Sequence, residues 1–303
     1  MTPREIIAEA WAITTREVSV RRWAFTSSFF ETLLNLKLLI YQIYFAYKYF
    51  GEKGDAGFFD IELYLYHSIP FWAFLIIIIS FIALVVVELF MPHLCLGAII
   101  GLAAKSHRKE EVKGGLVLAI YNFFPIFAIH EFLVLSGVST VVTATSLILR
   151  YIDPKLSFPS IWMLVTIFTV SNLLKFFFSF AEEGVVIRKL GIFTAIGRSF
   201  KLIVSHLSHI MFLVLLLLVI SLRIVINTLM VLLIPAIVIG IGFLLAFFLS
   251  TAVSYTIAGF IGLILIFIAS YFFAYLHAFK QTVWTLTYLE LSAQKDLDVI
   301  ESE

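Results

Sequence analysis

Apolar positions run through this chain in long blocks, separated by short polar segments, and the block lengths are the first thing to read. A helix crosses the hydrocarbon core of a bilayer with about 20 mostly apolar residues. Runs of that kind fall at roughly 29–50, 70–92, 127–149, 160–181, 207–232 and 255–282. The second is the cleanest, with Ile76 to Ile79 and Val85 to Val87 between Pro70 and Pro92. The first is the most interrupted, by Glu31, Asn35, Lys37 and Gln42. A charge near a span's centre costs about 2.5–3.5 kcal/mol on insertion scales, so Lys37 is expected to reach an interface or a partner helix. Between 207 and 280 the pattern fits two crossings or three. Pro235, Gly240 and Gly242 make 233–250 either a re-entrant or interfacial segment or a third crossing. Two crossings are the favoured reading.

Basic residues orient the spans. Arg4, Arg16, Arg21 and Arg22 precede the first; Lys105, Arg108, Lys109 and Lys113 follow the second; Arg188, Lys189, Arg198 and Lys201 follow the fourth. Glu52, Asp55, Asp60 and Glu62 lie after the first. Lys and Arg mark the cytoplasmic side, which predicts a cytoplasmic N-terminus and, with six crossings, a cytoplasmic C-terminus. No apolar h-region lies in the first two dozen residues, so a cleaved signal peptide is not expected.

A different periodicity occupies the basic segments. Phe193, Ile196, Phe200 and Ile203 share one helical face, with Arg198, Lys201 and Ser205 on another. Such a helix lies in the interface with its basic side toward anionic headgroups, which makes Arg188, Lys189, Arg198 and Lys201 candidate lipid contacts. The segment is echoed at 113–124, where Lys113, Gly115, Ala119, Ile120 and Phe124 match Lys189, Gly191, Ala195, Ile196 and Phe200 without a gap. A third example is expected at the N-terminus. Thr2, Pro3 and Glu5 fit N-cap, N1 and N3 of a capping box, and Ile6, Ala10 and Ile13 follow on one side near Trp11. The expectation is one all-α, polytopic membrane domain over 1–303. It would hold about six crossings in three hairpins, each preceded by an in-plane helix, with repeat units 1–104, 105–181 and 182–303. The plainer alternative is that the basic segments are the cytoplasmic ends of long membrane helices.

Several of these residues carry a resemblance. Glu9-Ala10-Trp11, Glu182-Glu183-Gly184, the run from Ala195 to Phe200 and the closing Trp284-Thr285-Leu286-Thr287-Tyr288-Leu289 are short motifs spread over nearly the whole chain. Together they resemble the membrane domain attached to some bacterial glycerophosphoryl diester phosphodiesterases, and equally its stand-alone relatives. The resemblance implies six helices and a membrane location. It implies no catalytic function, because the phosphodiesterase barrel is a separate soluble domain.

Composition narrows the rest. Hydrophobic residues are 62% and charged residues 14% of the chain, which excludes an ordinary soluble domain. A net charge of +1 gives no reason to expect nucleic acid, and Cys95 alone allows no internal disulfide. No cofactor or catalytic set is legible. His130-Glu131 lacks the second histidine of a zinc-protease helix, since position 134 is Val134. His206 with His209, and His93 with Cys95, are pairs without an evident third ligand. Gly137-Val138-Ser139 reads as a turn unless a base such as His277 meets it.

Intramembrane polar residues remain. Glu88, Lys175 and Arg223 lie in apolar runs, with Asn172 one turn before Lys175. Such charges pair, face a cavity or snorkel, and Glu88 with Lys175 is the first pairing to expect. Gly97-x-x-x-Gly101 either permits close helix approach or sits at the cytoplasmic boundary, where it packs nothing. Two functions follow. The leading one is a non-enzymatic protein that organises, senses or scaffolds the membrane, with the bilayer and anionic lipids as partners and an oligomer or a membrane-protein partner open. The alternative is a transporter or channel for a small solute or lipid that uses Glu88, Lys175 and Arg223. A membrane enzyme is the least favoured.

Overall fold

The computed structural model describes residues 1–48, 60–132, 136–215, 217–218 and 233–294. All regular structure among these is helical. In chain order the helices are α1 (Pro3–Arg16), α2 (Val18–Ala46), α3 (Asp60–Ser68), α4 (Phe71–His107), α5 (Gly115–Phe132) and α6 (Val138–Tyr151). They continue as α7 (Pro154–Phe177), α8 (Ala181–Arg188), α9 (Ile192–Ser205), α10 (Leu207–Leu215), α11 (Ile234–Leu245) and α12 (Thr251–Gln294). Arg223, proposed above as an intramembrane charge, lies outside the described residues, as do Glu52 and Asp55.

Four stretches are long and apolar enough to cross a membrane: Phe71–His107, Gly115–Phe132, Lys155–Arg188 and Val253–Ala293. A fifth is reached if α9 and α10, bent by 88° at their junction, count as one span. Their apolar surface faces outward. Along α4, Trp72, Ile76, Ile79 and Ile82 are all more than half exposed. Water penalises such a surface and lipid does not, so these helices point to a membrane location. At about 1.5 Å per residue, the 44 residues of α12 reach well beyond a hydrocarbon core of ~30 Å.

One expected span changes shape, and the favoured reading of 233–250 as a segment that does not cross fits what is found there. The run 127–149 is not one helix: α5 ends at Phe132 and α6 starts after Gly137, its N-cap. Apolar continuity hid that break, and the longer apolar helix is α5, whose first half was read as the in-plane echo. Residues 233–250 hold α11, only 12 residues long, too short to cross unaided. It packs on α12 through glycines. A Cβ on Gly242 would sit 2.7 Å from the Tyr255 ring, and one on Gly262 would sit 2.9 Å from Val238. Only small residues let two backbones approach this closely.

The chain divides into two compact units. One comprises 1–32, 91–132 and 176 onward. Its core gathers Ile6, Ala10 and Ile13 of α1 against Leu213, Phe279, Val283 and Leu286. The apolar face of α1 is therefore covered by protein rather than turned to lipid, while Trp11 stays exposed and meets Phe279 edge-on. The capping box forms as expected, with Thr2 N–H donating to Glu5 Oε2 at 2.7 Å and Glu5 N–H to Thr2 Oγ1. The backbone N–H of Thr2 holds the Glu5 carboxyl below its ordinary range. In the same unit α4 and α5 pack through the expected glycine pair. A Cβ on Gly97 would lie 3.2 Å from the Leu118 carbonyl oxygen, and one on Gly101 would lie 2.7 Å from Leu118 Cδ1. The other unit, 33–90 with 133–175, holds the rest of α2 and α4 with α3, α6 and most of α7.

Candidate functional site: polar groups in an apolar frame

Among the described residues of the second unit, the buried charge is Glu88, fully shielded on α4. Its partner is Lys37 of α2 rather than Lys175: Lys37 Nζ donates to both carboxylate oxygens, at 2.7 and 2.9 Å. The ammonium also lies 5.2 Å from the Phe81 ring centroid, where the ring quadrupole adds attraction. Two lysines were available on equal electrostatic terms, and only the fold says which one meets the carboxylate. Lys175 is exposed near the end of α7. Asn172 does not pair with a charge; its amide donates to the Phe168 and Ser136 carbonyl oxygens, tying α7 to the start of α6. Two more contacts steady the polar first span: Tyr41 donates to Glu62 at 2.6 Å, and Gln42 donates to Thr143 at 3.2 Å. Lys37 and Gln42, two of the four polar residues that interrupt 29–50, are thus engaged by neighbours, while Glu31 and Asn35 are exposed on α2.

Helix α9 belongs to the first unit and has three faces. Ala195, Ser199, Leu202 and Ile203 are buried against protein. Phe193, Phe200 and Val204 form an exposed apolar stripe, with Phe193 86% exposed. Lys201 and Ser205 lie exposed on a third side, next to half-buried Arg198. Ser199 locks the helix down by donating to the Phe177 carbonyl oxygen and accepting from the Phe180 N–H. Ile203, assigned to the lipid face from its spacing, is instead a core residue. Of the four basic candidates, Arg188 donates to the Ser292 carbonyl oxygen and so ties α8 to α12, while Lys189 lies over the Tyr121 ring.

Two polar groups escaped the sequence reading. Glu183 is fully buried; Gln281 of α12 donates to its Oε1 at 2.9 Å, and its Oε2 has no partner. In sequence it stands only as part of the Glu182-Glu183-Gly184 motif, and the packing of α8 on α12 buries it. The second group is His93 with His130 and Glu131, whose ligand atoms all lie within 4.8 Å of one another. His93 meets His130 ring to ring, with centroids 4.4 Å apart. In sequence His93 stands near Cys95, and His130-Glu131 lacks a second histidine four residues on. The partner is 37 residues away, brought in by the α4–α5 packing.

Searches against protein-family models, curated proteins and solved structures found no match to this chain.

Proposed function

We propose that this chain is a multi-pass membrane protein that organises or senses the bilayer through interfacial helices, α9 foremost. The observation that carries the proposal is the division of α9 into protein-facing, apolar-exposed and basic sides, together with the 88° turn into α10. A helix lying along the interface needs one face for protein, one for acyl chains and one for headgroups. A helix crossing the bilayer has no use for a polar stripe running its whole length. Of the pairs matched in the echo at 113–124, Ala119 and Ala195 are both buried and Phe124 and Phe200 both exposed, while Ile120 is exposed and Ile196 half-buried. On this reading the basic segments lie on the cytoplasmic side.

The transport alternative loses its free charge at Glu88, which Lys37 neutralises, and keeps the short α11 hairpin as its basis. The test of the leading reading is lipid selectivity. Reconstituted protein should associate more strongly with spin-labelled anionic lipid than with a zwitterionic analogue. Replacing Lys189, Arg198 and Lys201 by Gln should remove that preference, which at about 1 kcal/mol per basic residue corresponds to a large change in relative association. Equal association of the two lipids with the unmodified protein would refute the proposal.

A further inference from the structure

We propose that His93, His130 and Glu131 form a binding site for a divalent first-row transition metal, with Zn²⁺ the best-fitting ion. The three ligand atoms converge within 4.8 Å of one another, from two helices packed through Gly97 and Gly101. All three residues lie within one compact unit.

The donor set defines the metal class. Two imidazoles and one carboxylate suit zinc, iron, nickel or copper, whereas calcium and magnesium demand a shell of oxygens. Ligand bonds of about 2.0–2.2 Å require the donors to close by roughly 1 Å from their present spread. The arrangement permits that movement. His93 is buried and braced by the edge of Phe127, so it serves as the fixed ligand. His130 is exposed and Glu131 half-buried, so their side chains can turn inward. Both stand in the last turn of α5, where the helix dipole favours a cation. Three protein ligands leave at least one position for water.

The experiment uses the full chain in detergent, purified without a histidine tag and stripped with a chelator. Titration with Co²⁺ should develop visible ligand-field bands that saturate at about one equivalent, and Zn²⁺ should displace them. His130→Gln alters an exposed side chain and Glu131→Gln a half-buried one, and both should leave the chromatographic profile unchanged. Each should weaken binding by roughly 10–100-fold or more. His93→Ala should do the same, and replacing His206 and His209 together should change nothing. Failure of the unmodified protein to bind Co²⁺ or Zn²⁺ stoichiometrically would overturn the proposal. So would unaltered affinity in His130→Gln and Glu131→Gln, or a loss of binding that follows His206 and His209.

Discussion

Replacing Lys37 by Met is expected to destabilise the protein by about 3–5 kcal/mol, the usual penalty for stranding a buried charge. Glu88 is fully enclosed, and Lys37 is the cation bonded to both of its oxygens. Water cannot replace that ammonium, so the carboxylate is left without its partner in a poor solvent. Glu88→Gln should cost less, because the partly exposed Lys37 can turn its head outward along a flexible stem. The double variant Lys37→Met with Glu88→Gln removes both charges and should recover most of the loss, since a neutral pair no longer carries the desolvation penalty. Thermal unfolding in detergent, followed by tryptophan fluorescence, reads all three. Lys175→Met serves as the control and should leave the Glu88 pair untouched. If Lys175→Met were the damaging change and Lys37→Met harmless, the pairing would be the one first expected from sequence.

Gly97→Leu carries the second large effect. A single Cβ there already stands 3.1 Å from Ile126, 3.2 Å from the Leu118 carbonyl oxygen and 3.3 Å from Asn122. A leucine cannot be accommodated by a side-chain rotation, because one of those neighbours is backbone. α5 must draw away from α4, at a cost of about 1–3 kcal/mol or somewhat more. Gly101→Ala should be milder, since its nearest neighbour is the end of the Leu118 side chain. Gly240→Ala, with nothing within 4 Å of its Cβ, should be neutral or slightly stabilising, as expected where only helix propensity changes. Gly97→Leu should also spread His93 from His130, so its metal affinity should fall together with its melting point.

What could be read from sequence, and what could not, follows from range. The capping box at Thr2 and Glu5, the glycine spacing at 97 and 101 and the amphipathic period of α9 are local patterns, and each has its local consequence in the structure. The break between α5 and α6 was masked because residues 127–149 are apolar on both sides of it, and hydropathy cannot distinguish one long helix from two short ones. The Glu88 partner, the burial of Glu183 and the meeting of His93 with His130 all depend on contacts 37 or more residues apart in sequence. Periodicity carries no information at that distance. Ile203 shows the same limit in one residue: its spacing placed it on an apolar face, but only the packing distinguishes an apolar face turned to protein from one turned to lipid.

The most direct test of an interfacial α9 is its depth profile. Spin labels at Phe193→Cys, Phe200→Cys and Val204→Cys, in a Cys95→Ser background, report immersion depth in reconstituted vesicles. Labels at Ile76, Ile79 and Ile82 provide a ruler on α4. An in-plane α9 places its three labels at one depth, near the boundary between headgroups and acyl chains, while the α4 labels descend by about 1.5 Å per residue. A steady change of about 16 Å from residue 193 to residue 204 would instead make α9 a crossing helix and contradict the interfacial reading.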